Sequence, residues 1–171
     1  MSRSGDTVVM DASAQHIDQI TDIYAKFVRD SIATVELEPP TRETMQERYK
    51  MLQAQEMPYL VACIGDQVIG WSYASRFGER SGYNLTVESS TYVHPDYHRH
   101  GVARLLLNEL ITRCTAFGKK QMVAATTGDG IENAASIALH NSLGFKQVGV
   151  LKEVAFKFGR FIDVTYLQRK L

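Results

Sequence analysis

The chain has 171 residues, 44% of them hydrophobic and 22% charged, a balance that suits a folded core and excludes disorder and low-complexity sequence. Lysine plus arginine equals aspartate plus glutamate at 19 each, so no global field draws the protein to nucleic acid or an anionic membrane, and any anion site must be local. No apolar run approaches the roughly 18 residues of a spanning helix, no signal-peptide core precedes the first element, and Cys63 and Cys114 stand alone in apolar patterns; a cytoplasmic protein with two buried reduced thiols is expected.

From the N-terminus, Thr7 to Asp11 reads as a short strand. Ile17, Ile20, Ile23, Tyr24 and Phe27 recur at helical spacing within Ala14 to Asp30, with Ser13 placed as the N-cap. Pro39 and Pro40 break the chain, and Thr41 then opens a second helix, RETMQERYKMLQAQ, with Glu43 in its first turn. The T-x-x-E of Thr44 and Glu47 offers a different start one turn later. YLVACIGDQVIGWSYASRF reads as two strands about a Gly65–Asp66 turn, and Asn84 to Val93, NLTVESSTYV, as a third long strand. A helix from Val102 to Phe117, a strand QMVAAT, a helix begun at or beside Asn133 and ended by Gly144, and two strands about Gly159 complete the chain. With no repeat and no Gly/Ser linker, residues 1–171 read as one domain with a mixed α/β sheet, not a doubly wound one.

Val93 to Leu110, VHPDYHRHGVARLLLNEL, places three histidines and two arginines at the entry to a helix. Strand, turn, helix is the setting in which unpaired helix N-terminal amides receive a phosphate. Gly101 and Ala103 supply small residues where backbone must approach a ligand, while Arg99 and Arg104 offer charge-assisted hydrogen bonds and His98 and His100 neutral ones. His94, His98 and His100 also spell H-x-x-x-H-x-H, a spacing at which imidazoles converge on zinc, but only Asp96 is at hand to complete the set, and no metal is expected. Upstream, alternation puts Asn84, Thr86, Glu88, Ser90 and Tyr92 on one face of their strand. Downstream, His140 follows Asn133 by seven residues, so the two share nearly the same helical face.

The pattern H-R-H-G-V-A after STYV and HPDY resembles the [Q/R]-x-x-G-x-[G/A] loop of the GNAT family of N-acetyltransferases. ATVELEPPT, PYLVA, VIGWSYASRF, TVESSTYVHP, ENAASIALHNSLGF and KFGRFIDVTYLQ follow the order of one subgroup, the phosphinothricin and methionine sulfoximine/sulfone acetyltransferases. This resemblance spans nearly the whole chain. It implies a GNAT-like fold, a central mostly antiparallel sheet of six to seven strands flanked by about four helices, with acetyl-coenzyme A as cosubstrate. It also implies that His98, Arg99, His100, Gly101, Val102, Ala103 and Arg104 grip the pyrophosphate, that Thr91, Tyr92 and Val93 pair with the pantetheine arm like an added strand, and that Asn133 bonds the pantetheine or pyrophosphate. There are departures from the family pattern. His98 stands where glutamine or arginine is usual, and Ala103 replaces the commoner second glycine. His140 takes the place of a tyrosine general acid found in many relatives, although the subgroup often carries histidine there. Asn141 and Ser142 replace a charged pair, and Val35 turns the usual ATFE into ATVE.

Moving an acetyl group from thioester to amine requires an anchored cofactor, a polarised carbonyl, a deprotonated amine and a leaving thiolate that is protonated or tolerated. Glu88 is the expected general base; a free glutamate near ~4.3 is too acidic for this, so partial burial must raise its pKa. His140 is the expected donor to the thiolate. Phe77, Arg80, Tyr83, Glu88 and Ser90 are the expected acceptor site: the resemblance implies that Arg80 matches a basic position in the subgroup's substrate-recognition loop and clamps an α-carboxylate, with Phe77 and Tyr83 flanking a short side chain. The expected acceptor is the α-amine of a small amino-acid analogue such as phosphinothricin, methionine sulfoximine or methionine sulfone. No nucleic-acid or membrane partner is expected, and the resemblance implies a homodimer. The alternatives are a protein N-terminal, lysine or polyamine acetyltransferase, or a non-catalytic acyl-coenzyme-A-binding regulatory module.

Overall fold

The computed structural model describes residues 7–171. The short N-terminal strand β1 (Val8–Asp11) leads into α1 (Ile17–Asp30), whose buried stripe is Ile17, Ile20, Ile23, Tyr24 and Val28. Ser13 caps a separate 3-10 turn, Ala14–His16, instead of α1: its N–H donates to His16 Nδ1 at 3.0 Å. In α2 (Arg42–Ala54) the Thr44 N–H donates to Thr41 Oγ1 at 3.2 Å, so the helix starts at Thr41 and the later T-x-x-E start is not used.

The strands β2 (Tyr59–Ile64), β3 (Gln67–Arg76) and β4 (Thr86–Val93) form an antiparallel meander. β4 begins two residues later than its composition suggested. Ser81–Tyr83 is a 3-10 turn that Asn84 continues at φ −58 and ψ −22, so Asn84 does not share the Glu88 face; its side chain instead accepts from Arg76 Nη2 at 3.1 Å. The helix α3 (Val102–Ala116) and strand β5 (Gln121–Thr127) follow, then α4 (Ala134–Ser142) and a long hairpin of β6 (Lys146–Lys157) and β7 (Arg160–Lys170). The hairpin turns at Phe158 and Gly159 with φ of 52 and 72, as a two-residue turn that matches strand twist requires.

All seven strands join one sheet in the order β1-β2-β3-β4-β5-β7-β6, and every neighbouring pair is antiparallel except β4–β5. Alternation decides which helix covers which face. Trp71 and Tyr92 stack across β3 and β4 with centroids 4.9 Å apart, and Tyr24 of α1 meets Tyr92 edge-on at 5.3 Å, which places α1 on that face. The opposite face carries Gly70 and Val93 beneath Leu106 of α3. Any side chain at Gly70 would bring a Cβ within 2.9 Å of the Tyr92 carbonyl oxygen and 3.2 Å of Leu106, so glycine is what lets α3 settle there. α3 answers with Val102, Leu106, Leu107, Leu110 and Cys114, all buried. Cys63 and Cys114 are both buried free thiols. Among the described residues, no helix is long and apolar enough to cross a membrane.

Candidate active site

The parallel pairing of β4 with β5 runs only from Thr86↔Gln121 to Ser89↔Ala124. Beyond it, Ser90 to Val93 pair with β3 alone, and Ala125 to Thr127 pair with β7 alone. The two strands therefore part into a wedge, open at their C-terminal ends, with an unpaired backbone edge on each side. Such an edge accepts an extended chain by the same hydrogen bonds that build a sheet.

At the mouth of the wedge the chain passes through a 3-10 turn, Pro95–Tyr97, and reaches α3 through two left-handed residues, Arg99 (φ 65) and Gly101 (φ 80). Gly101 is the N-cap of α3 and has no side chain to cap it; the first helical bond at this end is from the Leu105 N–H to the Gly101 carbonyl, 3.1 Å. Helix geometry thus leaves the first-turn amides unclaimed at the positive end of the α3 dipole. A Cβ at Gly101 would meet no protein atom within 4 Å, so the positive φ is what demands glycine here.

The side chains around that loop divide between exposed groups and fasteners. Arg99 and His100 are exposed, with His100 Nδ1 2.8 Å from the His98 carbonyl oxygen. His98 places Nε2 2.8 Å from the Val93 carbonyl oxygen and its ring against Phe27, which ties the loop to the end of β4 and takes this nitrogen away from the surface. Arg104 donates from Nη2 to Ser142 Oγ at 2.8 Å, tying α3 to α4. Val102 is buried and Ala103 half-buried, so they present backbone only. His94 accepts the Asp96 N–H on Nδ1 at 3.2 Å. The three histidines thus engage three separate backbone groups, and among the described residues no cluster of three or more histidine, cysteine or carboxylate side chains converges.

Glu88 sits opposite Ser75 of β3 and Val123 of β5, one residue before the wedge opens. It is half-buried, and among the described residues it has no hydrogen-bond or ion-pair partner; burial pushes its carboxyl pKa above the ordinary value, in the direction a base near neutrality needs. Ser90 and Tyr92 lie on the same face; Ser90 is opposite Tyr73, and Tyr92 is locked among Tyr24, Phe27 and Trp71. Thr91 points the other way, 2.6 Å from Ser72 Oγ through its hydroxyl.

His140 is 8% exposed, with Nδ1 2.8 Å from the Ser136 carbonyl oxygen and its ring edge-on to Phe145 at 5.0 Å. That bond assigns the proton to Nδ1, and burial lowers the ring's pKa, so the imidazole is neutral with a lone pair on Nε2. In this state Nε2 accepts a hydrogen bond or a proton. Asn133 is in helical phase with His140, but its amide serves the β5–α4 loop. Its Oδ1 accepts the Gly130 N–H at 2.9 Å and its Nδ2 donates to Thr126 Oγ1 at 3.1 Å, in a buried setting.

A cavity of about 290 Å³ lies on the α1–α2 face, with Ser75, the cross-strand neighbour of Glu88, at one side. Its sheet floor is aromatic, from Tyr59, Trp71, Tyr73 and Tyr92. The cover comes from α2, where Met45, Arg48 and Leu52 fall on one stripe at i, i+3 and i+7. Arg48 reaches Glu36 of the α1–α2 connection through Nη1–Oε1 at 2.7 Å and Nη2–Oε2 at 3.2 Å. Glu36 Oε1 also accepts from the Tyr24 hydroxyl at 2.9 Å, and burial pushes that phenol up to about 12, so it stays a donor. The connection is pinned from beyond by Lys157, whose Nζ donates to the Thr34 carbonyl at 2.8 Å. Val35, next to this network, is 45% exposed.

None of the cavity's covering residues was visible as a site from sequence; the one available signal was a charged residue, Arg48, in the apolar stripe of α2. Phe77, Arg80 and Tyr83 lie outside the cavity lining, in the β3–β4 connection. There Phe77 and Tyr83 pack edge-to-face at 5.5 Å, and Arg80 is exposed with no side-chain partner among the described residues.

Comparison with known proteins agrees with this geometry. The family model described as "Acetyltransferase (GNAT) family" matches residues 18–145. The chain is 43% identical over 152 residues to a phosphinothricin N-acetyltransferase of Alcaligenes faecalis, covering 89% of this chain and 76% of the relative. It is 36% identical to the L-methionine sulfoximine/L-methionine sulfone acetyltransferase of Salmonella typhimurium, covering 89% and 87% of the two chains. The crystal structure of a phosphinothricin acetyltransferase from Sinorhizobium meliloti in complex with AcCoA superposes with a TM-score of 0.91 at 39% identity, over 97% of this chain and 89% of that one. A sheet that parts between β4 and β5 ahead of an uncapped helix, and relatives matched along nearly the whole length, lead to one conclusion: the chain belongs to the acetyltransferase (GNAT) family.

Proposed function

We propose that this protein, working as one domain over its whole length, transfers the acetyl group of acetyl-coenzyme A to the α-amine of a small amino-acid analogue such as phosphinothricin, methionine sulfoximine or methionine sulfone. The observation that carries this is the wedge: a β4 edge from Ser90 to Val93 that β5 does not pair, followed by the loop to the uncapped start of α3, with a half-buried glutamate at its apex that has no partner among the described residues. Acetyl-coenzyme A fits these residues. The first-turn amides of α3 and the exposed Arg99 and His100 would hold its pyrophosphate, and the Thr91–Val93 edge its pantetheine arm. When bound, it supplies the activated thioester.

In the proposed reaction Glu88, through a water molecule, takes a proton from the acceptor ammonium. The freed nitrogen lone pair attacks the thioester carbonyl carbon, the C–N bond forms and the C–S bond breaks, and the nitrogen's second proton passes to the departing sulfur, so that the N-acetyl product and the free coenzyme thiol leave. His140, neutral, is assigned to accept a hydrogen bond at the thiol end of the wedge, and Asn133 to hold the β5–α4 loop. Arg80, with Phe77 and Tyr83 in the β3–β4 connection, is assigned to the acceptor's α-carboxylate, and Ser90, the next residue on the Glu88 face, is assigned to line the acceptor site beyond Glu88. A cavity of about 290 Å³ lies at the small end of the range for small-molecule sites, which supports a compact acceptor over a peptide.

Two further features belong to the proposal. The buried free thiols support a reducing, cytoplasmic setting. The outer hairpin exposes Val148, Val154, Phe156, Phe158 and Phe161, each at 54–60%, and supports a homodimer joined through that surface. The deciding experiment is a thiol-release screen with acetyl-coenzyme A against methionine sulfone, methionine sulfoximine, phosphinothricin, ordinary amino acids and polyamines. Turnover confined to polyamines, or absent throughout, overturns the assignment.

A further inference from the structure

Among the described residues Arg48 is the one charged side chain lining the cavity, beside four tyrosines, a tryptophan and the methionines of α2. Its charge is not free. Glu36 holds it through two parallel bonds, and Glu36 is itself fixed by the Tyr24 hydroxyl, which meets Thr34 Oγ1 at 2.8 Å. A guanidinium has five N–H donors, and Glu36 takes two. The remaining donors belong to a pair of zero net charge beside a hydrophobic cavity. Such a pair offers hydrogen bonds to an oxygen entering the cavity, but little net attraction for a full negative charge, which would face Glu36 as well as Arg48.

We infer that the Arg48–Glu36 pair is the specificity determinant for the acceptor's side chain, selecting a neutral dipolar oxygen, as in a sulfone or sulfoximine, over an anionic phosphinate or carboxylate. This deepens the acetyltransferase assignment and rests on it. The methyl and methylene groups of such an acceptor meet Met45, Met51 and the aromatic floor, while its oxygen meets Arg48. Ser75 at the cavity edge, opposite Glu88, sets the direction in which the amine points. The other ionisable groups around the pair are the phenols of Tyr24, Tyr59, Tyr73 and Tyr92, all held neutral by burial, the Glu88 carboxylate beyond Tyr73, and Lys157, which is held on the Thr34 carbonyl outside the cavity lining.

The two partners make opposite predictions. Glu36→Gln leaves the guanidinium unneutralised, so the ratio of kcat/KM for phosphinothricin to that for methionine sulfone should rise by about ten-fold. Arg48→Gln keeps a donor but leaves Glu36 as an unpaired anion, so the same ratio should fall, with the change in KM for the acceptor and not in KM for acetyl-coenzyme A. A purely structural role would lower both acceptors together in both variants. Melting temperatures of the two variants establish that each is folded, and Arg48→Lys, which keeps the cation beside Glu36, should restore the wild-type ratio with a raised acceptor KM. A ratio that moves the same way in both variants, or does not move, overturns the inference while wild-type turnover keeps the acetyltransferase assignment standing. Wild-type protein that acetylates neither acceptor overturns both.

Discussion

Replacing Glu88 with glutamine isolates the proton transfer. The side chain is isosteric and half-buried, and among the described residues the carboxylate has no partner to lose, so the fold has no reason to shift. A positioned general base contributes about 10²–10⁴-fold, which corresponds to about 3–5 kcal/mol of barrier. Glu88→Gln should therefore lower kcat by two to four orders of magnitude while KM for acetyl-coenzyme A, governed by the α3 loop, stays within about two-fold of wild type. Stability moves the other way. A carboxyl whose folded pKa is raised binds its proton more tightly when folded, so it favours the native state only at low pH, and that contribution is lost as pH rises through the raised value. At neutral pH the buried charge is a burden, and the glutamine variant should melt at the same temperature as wild type or slightly higher. Wild-type kcat/KM should fall on the acid side as Glu88 is protonated, and this limb should vanish in the variant. Stopped thiol-release assays across pH, with melting curves alongside, provide the readout. Unchanged kcat refutes the base assignment, and a kcat loss matched by a large fall in melting temperature refutes the reasoning that separates chemistry from packing.

Other residues give independent tests. Gly101→Val meets no steric obstacle but must adopt φ near 80. The left-handed penalty of about 1–2 kcal/mol predicts a fall of roughly 2–8 °C in melting temperature and loss of acetyl-coenzyme A binding by calorimetry; tight binding retained in the variant would move the cofactor loop elsewhere. His140, held neutral by burial, has a folded pKa below its ordinary 6.5, so its contribution to stability is full above that value and is lost as pH falls below it. His140→Gln should flatten the fall in melting temperature between pH 7 and 5.5, and an unchanged slope would contradict the neutral assignment. Phe161→Asp places a charge on the exposed hairpin face and should convert a dimer to a monomer in analytical ultracentrifugation; wild-type protein that sediments as a monomer removes the proposed dimer.

Legibility in the sequence followed the range of the interactions. The α3 loop was readable because strand, turn, glycine and helix are contiguous, from Val93 to Arg104, and each local preference points the same way. The strand faces were readable because alternation is local: Glu88, Ser90 and Tyr92 do share a face. The sequence does not reveal the bonds of side chains whose partners are distant or set by packing. The His98 ring nitrogen is turned to the Val93 carbonyl, the Asn133 amide closes a loop with Thr126 and Gly130, and the His140 ring is bonded to Ser136 and buried. Asn84 was counted with the strand because nothing in its neighbourhood announces that Ser81–Tyr83 turns as a 3-10 helix.

The cavity shows why the proposed acceptor end resists such reading more than the α3 loop does. Its walls come from α1, α2, β2, β3 and β4, and its polar centre joins Glu36 in a connecting segment to Arg48 on a helix and Tyr24 on another. No single stretch carries the pattern. The same dispersal has a chemical consequence. The proposed cofactor grip uses backbone amides and a left-handed glycine, which most substitutions cannot alter without disturbing α3, whereas the proposed acceptor preference rests on side chains that change singly while the sheet beneath them stays intact. On the proposed reading, the acceptor preference can change through single side chains while the fold and the α3 loop stay the same, and the pair at 36 and 48 is the position at which such a change acts electrostatically.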